Sequence, residues 1–295
     1  NPRSQAKLRC FFEHWLEMER GEDLAKDAEL YPGFDKSLVA DLRISLHGFI
    51  EQIVWMGSGD YRELLLASEV PMNRRMAEFY EVKHSGSDRF ELVEFGRKQR
   101  SGLLTHPYLL AQFAYPGATS PIHRGVFITR NMLGRALRAP PEAVEFKESD
   151  FDPSMTMREK VTEMTKAAVC QNCHAVINPL GFSLEHYDAV GRYRKRENRK
   201  RIDAAGEYES VSGKNVRLRG ARDLSKFAAH SPEAQRAFIE KLFHHLVKQP
   251  LRAYGDDTLD RLHETFVESK CNIRTLAVEI VTVSAAHGIA DKMKQ

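Results

Sequence analysis

The sequence predicts a mainly α-helical, multi-helix body carrying one small β-hairpin. Three observations lead there. Apolar residues recur at helical spacing along most of the chain: Leu8, Phe11, Phe12, Trp15 and Leu16 share one helix face. Ser120-Pro121 and Ser231-Pro232 open two such stretches with proline at the first helical position. Only residues 206–220 alternate convincingly like strands, where Tyr208, Val211, Val216 and Leu218 flank a Ser212-Gly213 turn.

Taken in order, a first helix carries the Leu8–Leu16 face. A second starts from an Asp35 cap and turns Leu38, Leu42, Leu46, Phe49 and Ile53 inward. Short helices follow near residues 62–67 and 73–80, separated by Pro71. Thr105 is the expected cap of the next helix, before His106-Pro107. The helix from Pro121 carries Val126, Ile128, Met132 and Leu133 and stops at Gly134. Residues 139–154 hold three prolines and read as a connector. A helix from about Thr156 leads to Cys170, and Asn178-Pro179-Leu180-Gly181 is expected to break it. After the hairpin, helices run from Ser231 to Gln249 and over residues 258–268 and 272–287.

Composition narrows the function classes. With 295 residues, 42% hydrophobic and 29% charged, the chain can bury a core without staples. A net charge of +3 with no dense Lys/Arg stripe argues against nucleic acid. The densest basic run, residues 192–201, also contains acid and reads as a solvated loop. No apolar run reaches the ~18 residues of a membrane span. Residues 276–286 come nearest and are broken by Glu279. The sequence opens on Asn1 rather than Met, so it is silent on a targeting segment.

The run Cys170-Gln171-Asn172-Cys173-His174 carries chemistry. Two thiols one helical turn apart can reach the two vinyl groups of a haem edge, and the adjacent imidazole can serve as proximal iron ligand. One covalent haem c is therefore expected. Three other readings compete. A zinc site normally needs a second Cys pair, but Cys10 and Cys271 stand alone. A thioredoxin-like motif needs a βαβ context. Two unrelated core cysteines is the third. The helix break near Pro179 is expected to place a backbone carbonyl against the outer nitrogen of His174.

The stretch C-Q-N-C-H-A-V-I-N-P-L-G-F-S-L-E-H-Y-D-A-V-G-R-Y-R, residues 170–194, resembles the haem segment of planctomycete-type large cytochrome-c-like proteins. These are built from three successive domains of unknown function. Arg9-Cys10-Phe11-Phe12-Glu13-His14-Trp15-Leu16 resembles their first domain. Gly102-Leu103-Leu104-Thr105-His106-Pro107 and Thr119-Ser120-Pro121-Ile122-His123-Arg124-Gly125 resemble the second. Ile202-Asp203-Ala204-Ala205-Gly206 and Lys241-Leu242-Phe243 resemble the linker and third. The resemblance implies a secreted or periplasmic c-type cytochrome and a longer gene product. The expected division is 1–98, an incomplete helical domain; 99–200, with the haem motif; and 201–295, hairpin and C-terminal helices. Relatives often carry His where Met164 stands and Asn where His186 stands, so neither position carries over as a family ligand.

The sixth ligand stays open, with His106, Met164 and His245 the candidates in that order. Met293, the one Met after the motif, lies too near the end to be a good choice. Pro179, Phe182, Tyr187 and Tyr193 are expected near the haem, and Arg192 and Arg194 either hold its propionates or stay solvated. Glu185 and Asp188 form a carboxylate pair for which a structural role is favoured over acid–base catalysis. Cys10 and Cys271 are either a disulfide or, by preference, separate buried thiols. The expected function is single-haem electron transfer between redox partner proteins, alone or within a larger redox assembly, rather than enzymatic. The alternative is a peroxidase-type oxidative enzyme with an open iron face.

Overall fold

The computed structural model describes residues 1–96, 99–138 and 146–292, so part of the 139–154 connector and Met293 lie outside the described residues. The fold is mainly helical, as expected, with a few small two-stranded antiparallel sheets. Helix α1 (Pro2–Trp15) begins where the Asn1 side chain accepts from the Arg3 N–H. Helix α2 (Lys36–Glu51) is capped by Asp35, which accepts from the Leu38 N–H at 2.8 Å. Then come α3 (Tyr61–Leu66), β1 (Glu69–Met72), α4 (Arg74–Phe79) and β2 (Glu91–Glu94).

The β1–β2 ribbon corrects the expectation of a single hairpin, for Val70 lies opposite Val93 and Pro71 opposite Leu92. Pro71 is tolerated because a two-stranded ribbon is all edge. Its carbonyl accepts from the Ser45 hydroxyl. Helix α5 (Pro107–Gln112) is capped by His106 rather than Thr105. The Thr105 hydroxyl instead accepts from the Ser101 N–H at 2.7 Å.

Helix α6 (Pro121–Phe127) starts from a Ser120 cap and runs through a π turn, Ile128–Met132, to Gly134 at φ +66°. Helix α7 (Met157–Met164) has a reciprocal Thr156–Glu159 capping box. Helix α8 (Ala168–Phe182) carries the thiols. A second unexpected ribbon follows, β3 (Arg196–Glu197) with β4 (Lys200–Arg201). The predicted hairpin is β5 (Gly206–Glu209) with β6 (Asn215–Leu218). Tyr208 and Leu218 face the core, whereas Val211 is exposed. Helices α9 (Ala221–His230), α10 (Pro232–Val247), α11 (Thr258–Glu268) and α12 (Ile273–Lys292) complete the chain.

One core extends from Leu8 to Ile280. Phe11 and Trp15 of α1 and Tyr61 of α3 converge on Phe238 of α10, with ring centroids 5.6, 5.1 and 4.7 Å away. Each such contact contributes ~0.5–1.5 kcal/mol beyond its buried area. Trp15 Nε1 donates to the Asn131 carbonyl at 2.8 Å, and Asn131 Nδ2 returns a bond to the Trp15 carbonyl at 2.9 Å. A smaller cluster of Met157, Val161 and Phe182 joins α7 to the end of α8.

Helix α8 is set against α6 by two glycines. A Cβ on Gly125 would strike the Ile177 carbonyl, and one on Gly181 would strike the Pro121 carbonyl. The backbones approach too closely for any side chain there. The loop after α8 is tied down by Arg124, which is 1% exposed. Its guanidinium donates to the carbonyls of Leu184, Tyr187, Leu110 and Asp188 at 2.8–3.1 Å.

Candidate functional site

Helix α8 does not break after His174, as the sequence suggested, but continues through Pro179 to Phe182. Proline forfeits one helical hydrogen bond there. Close packing on α6 and against Gly206, whose own Cβ would press on Pro179, holds the turn in place. The two halves of the helix face different surroundings. Ile177, Asn178, Leu180, Gly181 and Phe182 are buried. Cys170, Cys173 and His174 are half-buried, Gln171 and Asn172 are exposed, and Val169 is 61% exposed. At about 100° per residue, positions 170, 173 and 174 share one face.

The His174 ring is held from behind. Its Nδ1 lies 2.9 Å from Asn178 Oδ1, while Asn178 Nδ2 donates to Thr165 Oγ1 at 3.0 Å. Thr165 in turn donates its hydroxyl hydrogen to the Val161 carbonyl at 2.8 Å. That direction fixes the rest. Thr165 can only accept from Asn178, so Asn178 presents its oxygen to His174, and Nδ1 carries the ring proton. The Nε2 lone pair is then available to a metal ion. The expected partner was a backbone carbonyl; the structure uses the Asn178 side chain, one helical turn on. Asn178 was missed because it was read as part of a helix stop. Its i+4 position relative to His174 was the available signal.

The sixth-ligand candidates are dispersed. His106 is buried in the core, where Nδ1 accepts from the Tyr108 N–H at 3.3 Å and Nε2 faces Ser45 Oγ at 3.2 Å. Burial, aided by Arg100, pushes its pKa down to about 3. With one nitrogen accepting and the other donating, no lone pair is left to offer. His245 is 8% exposed, packs against Phe11 and His14, and has a buried Nε2 without a hydrogen-bond partner. Burial, aided by neighbouring cations, pushes it down to about 4. Met164 is the half-buried last residue of α7.

The residues expected around the cofactor have other partners. Phe182 lies eight residues past His174, packed on α7 beneath the Arg158 guanidinium at 4.5 Å. Tyr187 is buried between Arg100 and Tyr193. Arg192 covers the Phe79 ring at 4.0 Å and donates to the Phe79 carbonyl. Arg194 reaches Glu185 at 3.5 Å and Glu197 at 3.3 Å. Neither arginine is a free solvated cation.

Glu185 and Asp188 do not form a pair. Glu185 is 1% exposed, accepts from the Thr119 hydroxyl and lies 3.7 Å from Arg124. Burial outweighs the two arginines and pushes its pKa up to about 7. Asp188 holds a turn, accepting from the N–H groups of Val190 and Arg192. All four cysteines are free thiols. Among the described residues no three His, Cys, Asp or Glu side chains converge as a zinc site would require. The cleft beside α8, about 530 Å³, is lined by Ala175 and Val176 and so opens on the side away from the thiols.

The arrangement is thus a helical thiol–thiol–imidazole strip, open outward and braced from within. Comparisons with known proteins place the chain in context. Residues 100–197, which contain the strip, match the PSCyt3 family model, described as a protein of unknown function (DUF1588). Residues 1–82 match the PSD4 family model, likewise a protein of unknown function (DUF1592). Both families are typical of planctomycete cytochrome-c-like proteins. No curated protein and no solved structure matches. Among the described residues no helix is long and apolar enough to cross a membrane.

Proposed function

We propose that this chain binds one haem c covalently through Cys170 and Cys173, with His174 as proximal iron ligand. On this reading it passes electrons between redox partner proteins in the periplasm or another extracytoplasmic space, alone or within a larger assembly. The supporting observation is the Thr165–Asn178–His174 relay, which leaves Nε2 unprotonated beside two half-exposed thiols. These residues fit the group. The haem would supply a one-electron couple when bound. The protein's part is mechanical and electrostatic. Thr165 fixes the Asn178 amide, Asn178 fixes the imidazole tautomer and strengthens it as a donor, and the buried half of α8 keeps the strip from shifting.

The test is expression with a working cytochrome maturation system, followed by denaturation. Pigment should stay with the wild-type chain and be lost from Cys170→Ala/Cys173→Ala. A wild-type chain without retained pigment would end the proposal. Asn178→Leu should keep the pigment but shift the reduction potential, and in the unloaded chain should mix the His174 tautomers seen by nitrogen NMR.

A second reading, an oxidative enzyme with an open iron face, draws on the engagement of both His106 nitrogens. The visible spectrum separates the two. Sharp reduced α and β bands belong to six-coordinate electron transfer, whereas a high-spin oxidised band belongs to the enzyme.

A further inference from the structure

We infer that the β3–β4 hairpin is a docking surface for an acidic protein. Residues 195–201 carry Lys195, Arg196, Arg199, Lys200 and Arg201 against one acid, Glu197. Lys200 pairs with Glu159 at 2.8 Å. Glu197 is occupied by Arg194 at 3.3 Å and by the Met157 N–H at 3.1 Å. That leaves Lys195, Arg196, Arg199 and Arg201 exposed, with no carboxylate partner among the described residues. Among the described residues, the Arg196 guanidinium bonds only the Arg199 carbonyl of its own turn, at 2.7 Å.

The hairpin is built against its own stability in two ways. Strand pairing puts Arg196 directly opposite Arg201, and like charges across a strand pair repel. The turn residues Asn198 and Arg199 both have positive φ, 46° and 66°, where glycine would be the favoured second residue. A chain that breaks local rules in this way commonly does so at a functional surface.

What holds the hairpin is its mounting on α7. Asn198 Nδ2 donates to the carbonyls of Pro153 and Met155 at 2.9 and 2.8 Å. With Glu197 on Met157 and Lys200 on Glu159, the hairpin is clamped to the start of that helix, so its guanidinium groups are presented preorganised. Guanidinium forks match carboxylates bidentately. The patch is short and the whole chain only +3, which favours an acidic protein surface over nucleic acid. Since α7 leads directly into α8, such a partner would dock on the unit that bears the thiols. Its service as a redox partner rests on the proposed function, while the docking itself does not.

The test is fluorescence anisotropy of a labelled poly-glutamate decapeptide and, separately, a short DNA duplex on the full chain. The peptide should bind, and salt should weaken it. Arg196→Glu/Arg199→Glu/Arg201→Glu should weaken binding on the order of tenfold or more. The charge-matched control Lys36→Glu/Lys241→Glu/Arg252→Glu should bind like wild type. Arg196→Gln/Arg201→Gln should also bind more weakly, with an unchanged or raised melting temperature, which misfolding could not produce. Equal binding by wild type and the hairpin variants, an equal loss in the control, or preference for the duplex would each overturn the inference. The same titration on Cys170→Ala/Cys173→Ala should be unaffected, so failure of the haem proposal would show in the pigment and not here.

Discussion

The two halves of α8 stand in opposite surroundings, one buried and one open. The C-terminal half is locked by glycine contacts with α6 and by the Arg124 carbonyl cage beyond it. The N-terminal half has no side-chain cap on Ala167, and its thiols and Val169 face outward. Burial and exposure are thus divided along one helix. The buried half fixes where the strip sits, and the open half leaves the sulfur atoms and Nε2 within reach.

The sharpest way to break this contrast is Arg124→Met. It strips four carbonyls of their donor and leaves Glu185 without its fully buried cation, at an expected cost of about 3–5 kcal/mol in urea unfolding. Gly181→Ala should cost about 1–3 kcal/mol, because its Cβ meets the Pro121 backbone rather than a flexible side chain.

Glu185 provides a pH signature. Its pKa is raised in the fold, so its stabilising contribution is complete below its ordinary value of 4.5 and is lost as pH rises to about 7. His106 and His245, both lowered, act oppositely and lose stability as pH falls below 6.5. Comparing Glu185→Gln with wild type isolates the first effect. The gap should change between pH 4.5 and 7, by up to ~1.4 kcal/mol per unit. A constant gap across that window would remove Glu185 from the pH response. The smallest effect is expected from Ala167→Ser, whose extended backbone suits a cap and which should add about 0.5–1 kcal/mol to the open half.

Helices defined by face and cap were legible in the sequence. The Leu8–Trp15 stripe, the Asp35 cap and the Ser231-Pro232 start each carry their cause in a few adjacent residues. The two short ribbons were not legible. Pro71 argued against a strand, and the basic run at 196–201 lacks the apolar alternation that marks one. Within the candidate site, the common face of Cys170, Cys173 and His174 was legible, because their spacing alone sets them one helical turn apart. Asn178 and Thr165 were hidden because their roles depend on an α7–α8 contact that no local pattern encodes. Arg192 and Arg194 were left open between two roles for a related reason. Sequence shows a cation, while only the fold shows that Phe79, Glu185 and Glu197 already engage them.

The reach of the thiols from solvent bears on the order of assembly. Cys170 and Cys173 remain approachable while the aromatic centre around Phe238 and the α6–α8 crossing are already closed. On the proposed reading, a maturation enzyme would meet both sulfur atoms on the outward side of the helix, without prising apart either of those contacts.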